Sequence, residues 1–449
     1  VRLCASDRPT WLRVEAARQL AHLTEFSHDL QSTAAITDHL VTTLKEFLSH
    51  VPQEDESLPK PEYLSPSSCG QFDEPELYSD LMCEAALLVY ASLAANNEAV
   101  RQKIVKGHGL IECINEKLES GSPALKLAAA RCLHSLTRSV YTLRTTFQDN
   151  PVWKFLVAIL QDLTADDELK VSALCAITNL ALEFSLCKEH LMNSGIIGIL
   201  ANFTRSDNYD LKFNALWGLM NVSFQADLSV KEKILQHLSV DAMFNLVSTN
   251  DKELICKTLG LLRNLLSPKQ DIDTIMRTNS NAVLQIVIWL LEGDLTPDVK
   301  EQALCVLANI ANGEQSKEVL IGNDDILKKL FNYMRLQTPA LQMAATMCVG
   351  NLADTADPNP LDRQLRLREA RIEKALEGLL STNHASLFDK VKYALDMFKF
   401  IGAASSTVTM ATMATITTST ASVGSSASNG SSSASSTPGP NWRSADQGP

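Results

Sequence analysis

Side-chain amides recur along this chain at a spacing that could hold the main chain of a peptide. Asn179, Asn221, Asn264, Asn309 and Asn351 follow one another at intervals of 42, 43, 45 and 42 residues. Each has an Ala or Thr six positions before it (Ala173, Ala215, Thr258, Ala303, Ala345) and an aliphatic residue directly after it. An amide carries both a donor and an acceptor. A row of them can therefore pair with the C=O and N–H groups of an extended segment, each bond contributing about 0.5–1.5 kcal/mol net. The same row could instead tie each helix to the backbone of its neighbour.

The positions beside the row define what else would share its face. On a helix, residues four and seven before a given position lie on the same side. Four before are Cys175, Trp217, Gly260, Cys305 and Met347; seven before are Ser172, Asn214, Lys257, Gln302 and Ala344. The expected face mixes amides, one indole, one cation and small residues. A large aromatic beside an amide in a groove is a typical anchor. The candidate partner-binding set is thus Asn179, Asn214, Trp217, Asn221, Lys257, Asn264, Gln302, Asn309 and Asn351.

The element that must position these residues is a helix. In each window apolar residues recur three and four apart, as in Ala173, Leu174, Ile177, Leu180 and Ala181, with no Pro inside. Equivalent windows place Ser135, Ser92 and His22 earlier in the chain and Phe400 after Asn351. Between windows lie second amphipathic stretches such as NSGIIGILANF, NSNAVLQIVIWLL and NDDILKKLFNYM, whose leading asparagines suit helix caps. A repeat of 40–47 residues built this way predicts an all-α, right-handed superhelical solenoid of the armadillo or HEAT kind, with eight to nine repeats.

Composition sets limits on the rest. At 449 residues and 45% hydrophobic content, most of the chain can bury a core. A net charge of −12 argues against a nucleic-acid binder, which needs a basic stripe. Ten cysteines show no metal-ligand spacing, and Cys175, Cys305 and Cys348 fall inside helical windows, as reduced core thiols do. The longest apolar run is too short to span a bilayer. No HExxH, phosphate loop or GxSxG elbow occurs, so no enzyme, metal or cofactor is expected. The expected organisation is a truncated repeat over 1–49, a flexible acidic, proline-rich loop over 50–80, the repeat solenoid over 81–401, and a disordered Ser/Thr/Ala/Gly-rich tail over 402–449. The chain begins without Met, inside the helical pattern RVEAARQLAHL, as a fragment lacking earlier repeats would.

Particular stretches carry a closer resemblance. ITDHLVTTL, RCLHSLTRSV, LRTTFQDNPVWK, LEFSLCKEHL, LWGLMNVSFQAD, KTLGLLRNLLS and EGDLTPDVKEQALCVLANIANG resemble the armadillo-repeat-containing protein 8 family, the solenoid subunit of the CTLH (GID-type) ubiquitin ligase. The resemblance covers roughly residues 10–400 and corresponds to the carboxy-terminal part of the family. It implies a non-catalytic adaptor, cytoplasmic and nuclear, whose protein partners are a substrate-receptor subunit and the LisH–CTLH and RING subunits, with no nucleic acid or membrane. The candidate residues named above would then be receptor contacts. An importin- or catenin-like peptide-binding adaptor is the alternative, although importins pair Trp with Asn in several repeats and this chain does so once, at Trp217 and Asn221.

Overall fold

The computed structural model describes residues 1–398 apart from 38, 50–73, 107–108, 148 and 250. The described residues form one compact unit, contain no β-strand, and build their core from a continuous stack of buried Leu, Ile, Val and Ala. Phe400, the tail from 402 and most of the 50–80 loop lie outside the described residues.

Nine helices carry the repeating window. They are Thr10–Phe26, Glu74–Ala94, Pro123–Thr137, Asp167–Leu180, Tyr209–Ser223, Lys252–Leu265, Pro297–Ile310, Pro339–Leu352 and a last helix at 385–398. Each of the first seven packs against the next, forming one layer. Their other side is covered by a second layer, in which Leu110–Ser120, Val152–Gln161, Ile196–Phe203, Val240–Val247 and Asp324–Arg335 each lie against the ladder helix that follows. This two-layer stack is the armadillo-type architecture that the 42–45-residue period predicts.

Local sequence explains why the ladder helices begin where they do. Pro123, Pro297 and Pro339 open theirs, at positions whose missing N–H would have no helical partner anyway. Asn208 and Asp251 cap theirs by accepting backbone N–H groups at 2.8–3.3 Å. The small residue six before each asparagine is fully buried, at Ala173, Ala215, Thr258, Ala303 and Ala345. A larger side chain there would hold the layers apart.

Three local expectations need correction. Asn323 caps its helix as expected, but Asn193 does not. It ends the helix Lys188–Asn193, and Gly195, at φ 79°, makes the turn into Ile196–Phe203. Asn279 and Asn281 start nothing, because one helix runs from Lys269 to Glu292. Ile272, Ile275, Met276, Val283, Ile286, Val287 and Leu290 keep one buried stripe through that stretch, and tertiary burial overrides the capping preference. Residues 74–80 belong to the helix Glu74–Ala94 rather than to the loop; Pro75 is tolerated in its first turn.

Ion pairs buried between repeats fasten the second half of the stack. Lys231, fully buried, donates to Asp271 Oδ2 at 2.5 Å and to the Ser267 carbonyl. Lys317, also buried, donates to Asp357 Oδ2 at 2.5 Å and to the Asn351 carbonyl at 3.1 Å, and Lys269 reaches the other Asp357 oxygen at 2.7 Å. Removing one partner of a buried pair leaves a desolvated charge uncompensated, at a cost of about 3–5 kcal/mol. Lys231→Met is therefore expected to lower unfolding stability on that scale in urea titrations, whereas Arg131→Met, which breaks an exposed pair with Glu168, changes it little.

Burial alone would raise the Asp357 carboxyl, but hydrogen bonds from Lys269 and Lys317 outweigh it and hold the group below the usual carboxylate range. A group lowered on folding stabilises the fold above its unfolded value, about 3.9. That stabilisation disappears as pH falls through the folded value. In acid titrations of urea midpoints, Asp357→Asn should flatten the loss of stability below about pH 4.

Candidate functional site

The five asparagines are half-buried, and their amide nitrogens share one partner geometry. Asn221 Nδ2 donates to the Thr178 carbonyl at 2.9 Å, Asn264 to Met220 at 2.8 Å, Asn309 to Arg263 at 3.0 Å and Asn351 to Ala308 at 2.8 Å. Each acceptor is the residue immediately before the asparagine of the preceding repeat. These carbonyls sit in the last turn of their helices, where no backbone N–H follows to bond them. Asn179 reaches the same place through a relay: its Nδ2 donates to Thr137 Oγ1 at 3.2 Å, and that hydroxyl donates to the His134 carbonyl at 2.9 Å.

The position two beyond the ladder residue supports the link. Asn264 Nδ2 also meets Ser223 Oγ at 3.2 Å, and the Ser92 and Thr24 hydroxyls stand 2.7 Å apart in the equivalent place of the earlier repeats. The nitrogen end of the row is thus engaged between repeats. Among the described residues no donor meets the five Oδ1 atoms, and these are the acceptors the row presents.

The other candidates differ in what holds them. Asn214 is tied at both ends, donating to the Asp210 carbonyl at 2.8 Å and accepting the Cys175 thiol at 3.3 Å. Gln302 Oε1 accepts from Arg263 Nη1 at 2.6 Å. Lys257 lies over the Trp217 ring, 3.8 Å from its centroid, and 5.7 Å from that of Phe213. Ser172 and Ala344, seven before their asparagines, are buried and line nothing.

Two further aromatic residues stand on this face, and neither follows from the positions four and seven before an asparagine. Tyr209, Phe213, Trp217 and Asn221 are spaced by four and form one stripe along their helix. Tyr209 stacks on Phe213 at 6.0 Å, and Phe213 meets Trp217 edge-on at 5.8 Å. The Tyr209 hydroxyl donates to Asp251 and Glu253 at 3.3 Å; burial first, then these two carboxylates, pushes it up to about 12. Arg263, beside Asn264, turns its guanidinium toward Gln302 of the following repeat. The four-residue spacing was the available signal for Tyr209 and Phe213; Arg263 gave none, because only the fold brings it to Gln302. Gly260 leaves space for Met220: a Cβ there would stand 2.7 Å from the Met220 sulfur.

The thiols of this face are not poised for chemistry. Burial pushes Cys175 up to about 11 and raises Cys305, so both stay protonated near neutrality. His134, next to Ser135, is drawn down to about 4 by burial and by Arg138. Among the described residues no group of three or more His, Cys, Asp or Glu could hold a metal ion, and no helix is long and apolar enough to cross a membrane.

No family model matches the chain. It is 40% identical over 398 residues to armadillo repeat-containing protein 8 of Pongo abelii, covering 89% of this chain and 58% of that protein, and the mouse protein matches equally. It is 26% identical over 299 residues to GID complex subunit 5 of Schizosaccharomyces pombe, covering 66% of this chain and 37% of that one. The chain therefore spans well under two thirds of the length of these relatives. An engineered protein of known structure superposes with a TM-score of 0.65 at 17% identity, over 89% of this chain and 97% of its own, a likeness of fold alone.

The row of amides makes a sign-specific prediction. Asn264→Ala removes the donor to Met220 and Ser223, and should cost about 1–3 kcal/mol of unfolding free energy. Asn264→Asp should cost more than Ala, because it sets a carboxylate oxygen against the Met220 carbonyl. Equal stability of wild type and both variants in urea titrations would show that the link carries no load.

Proposed function

Over the 398 matched residues this chain belongs with the armadillo repeat-containing protein 8 family, and from that footing we propose that it serves as a non-catalytic scaffold in a CTLH/GID-type ubiquitin ligase. In this reading its ladder face holds the substrate-receptor subunit, and the LisH–CTLH and RING subunits are further partners. The name of the fission-yeast relative places that protein in the GID complex. The observation that carries the proposal for this chain is the stripe Tyr209–Phe213–Trp217 with Lys257 over the indole, set between Asn221 and Asn264.

The chemistry suits an extended peptide segment. Oδ1 atoms of Asn221, Asn264 and Asn309 can accept main-chain N–H groups from it. Phe213 and Trp217 offer a rigid apolar bed for one large side chain at low entropy cost. Lys257 favours a carbonyl or carboxylate beside that anchor. Hydrogen bonds that tolerate any sequence would give grip, and the aromatic bed would give selectivity.

Affinity purification of the chain from cells, followed by mass spectrometry, should recover a receptor subunit together with LisH–CTLH and RING subunits. Trp217→Ala and Lys257→Ala should each weaken capture of the receptor about tenfold or more, since anchors of this type are worth over about 1.4 kcal/mol. Lys233→Ala, exposed on the helix Leu228–His237, should leave capture unchanged. Wild-type capture by a folded Trp217→Ala protein refutes the assignment of this face.

A further inference from the structure

Nine cysteines fall among the described residues as thiols. Two of them touch. Cys83 Sγ, on the inner side of Glu74–Ala94, lies 3.7 Å from Cys113 Sγ on the second-layer helix Leu110–Ser120. Their relative exposures are 3% and 9%, so Cys113 keeps the larger opening to solvent. Sulfur atoms 3.7 Å apart are in van der Waals contact, and a disulfide would draw them together to about 2.05 Å.

The surroundings of the pair are unequal. Lys117 follows Cys113 by one helical turn, and its ammonium, which also bonds Glu116 at 3.0 Å, acts on both sulfurs. Asp80 stands one turn before Cys83 and opposes a thiolate there. The thiol–thiol contact at 3.7 Å lowers the Cys113 thiol against the opposing effect of burial. The same contact, with burial, raises Cys83. A cation-assisted thiolate beside a protonated partner is the arrangement of an attacking and a resolving cysteine.

We propose that Cys83 and Cys113 form a reversible oxidation site, closed to a disulfide by hydrogen peroxide or a comparable two-electron oxidant. The Cys113 thiolate attacks a peroxide oxygen, the O–O bond breaks, and Cys113 becomes a sulfenic acid as hydroxide leaves and takes up a proton. The Cys83 sulfur then attacks Cys113 sulfur, giving the S–S bond and releasing a second water; the pair loses two electrons and two protons to one peroxide. The bond would fasten the helix that follows residues 50–73 to the second layer of the stack. Cys132, fully buried on Pro123–Thr137, makes no sulfur contact with the pair among the described residues and stays a core thiol.

The test uses the whole chain. Purified protein is exposed to hydrogen peroxide, quenched with N-ethylmaleimide in denaturant, digested without reductant and read by mass spectrometry. The expected product is one cross-linked peptide pair joining Cys83 and Cys113, two hydrogens lighter than the separate peptides and cleaved by dithiothreitol. The oxidised chain should also melt at a higher temperature than the reduced one, a shift absent in Cys83→Ala. In Cys83→Ala, dimedone should trap a sulfenic acid at Cys113. Full alkylation of both thiols in the peroxide-treated wild type overturns the proposal, as does pairing of Cys113 with Cys132.

Discussion

The stack depends on how the last carbonyls of each ladder helix are satisfied. A helix end leaves up to four C=O groups without in-helix donors. Pressed between two repeats they cannot all turn to water, and each one left unmade costs about 1–3 kcal/mol. Here the next repeat supplies the donor. An asparagine at a fixed place in its own helix sends Nδ2 to the carbonyl before the preceding ladder residue, at 2.8–3.0 Å in four successive steps. The link works only if every repeat keeps the same rise and register, which accounts for intervals held within 42–45 residues.

Long cations, and one further amide, do the same work elsewhere on these helix ends. Arg101 donates to the carbonyls of Ala94 and Ala95 at 2.6 Å, Lys317 to Asn351 at 3.1 Å and Arg363 to Leu352 at 3.1 Å, and Gln364 takes Ala353 at 2.9 Å. A helix C-terminus carries partial negative charge, so a buried cation there is doubly favoured. Asp271 and Asp357 then neutralise Lys231 and Lys317, which a desolvated charge requires. Stability in such an array is built repeat by repeat from interfaces of this kind.

This use of the helix ends shapes what the ladder face can offer. With amide nitrogens turned inward, the asparagines present acceptors, and Lys257 brings a cation to the face beside Trp217. The aromatic stripe on Tyr209–Ser223 lies where the two meet. The face is therefore most varied in chemistry at the repeats of Asn221 and Asn264, and plainer toward Asn179 and Asn351, where Cys175 and Met347 hold the equivalent of Trp217.

Much of this was legible in the chain itself. The nine windows, the small residue six before each asparagine and the face shared by Trp217, Asn221, Lys257 and Asn264 all follow from helical geometry and a fixed period, because both are local. The sequence also held the stripe of Tyr209, Phe213 and Trp217 in plain four-residue spacing. What it could not decide was which end of each amide faces the neighbouring repeat, since an asparagine is written the same whether it gives or accepts. Nor could it pair Arg263 with Gln302, Lys231 with Asp271 or Cys83 with Cys113. These partners stand 30 to 40 residues apart and meet only through the stacking of one repeat on the next. Periodicity determined the helices and their shared face; packing between repeats decided what each polar atom on that face was left free to do.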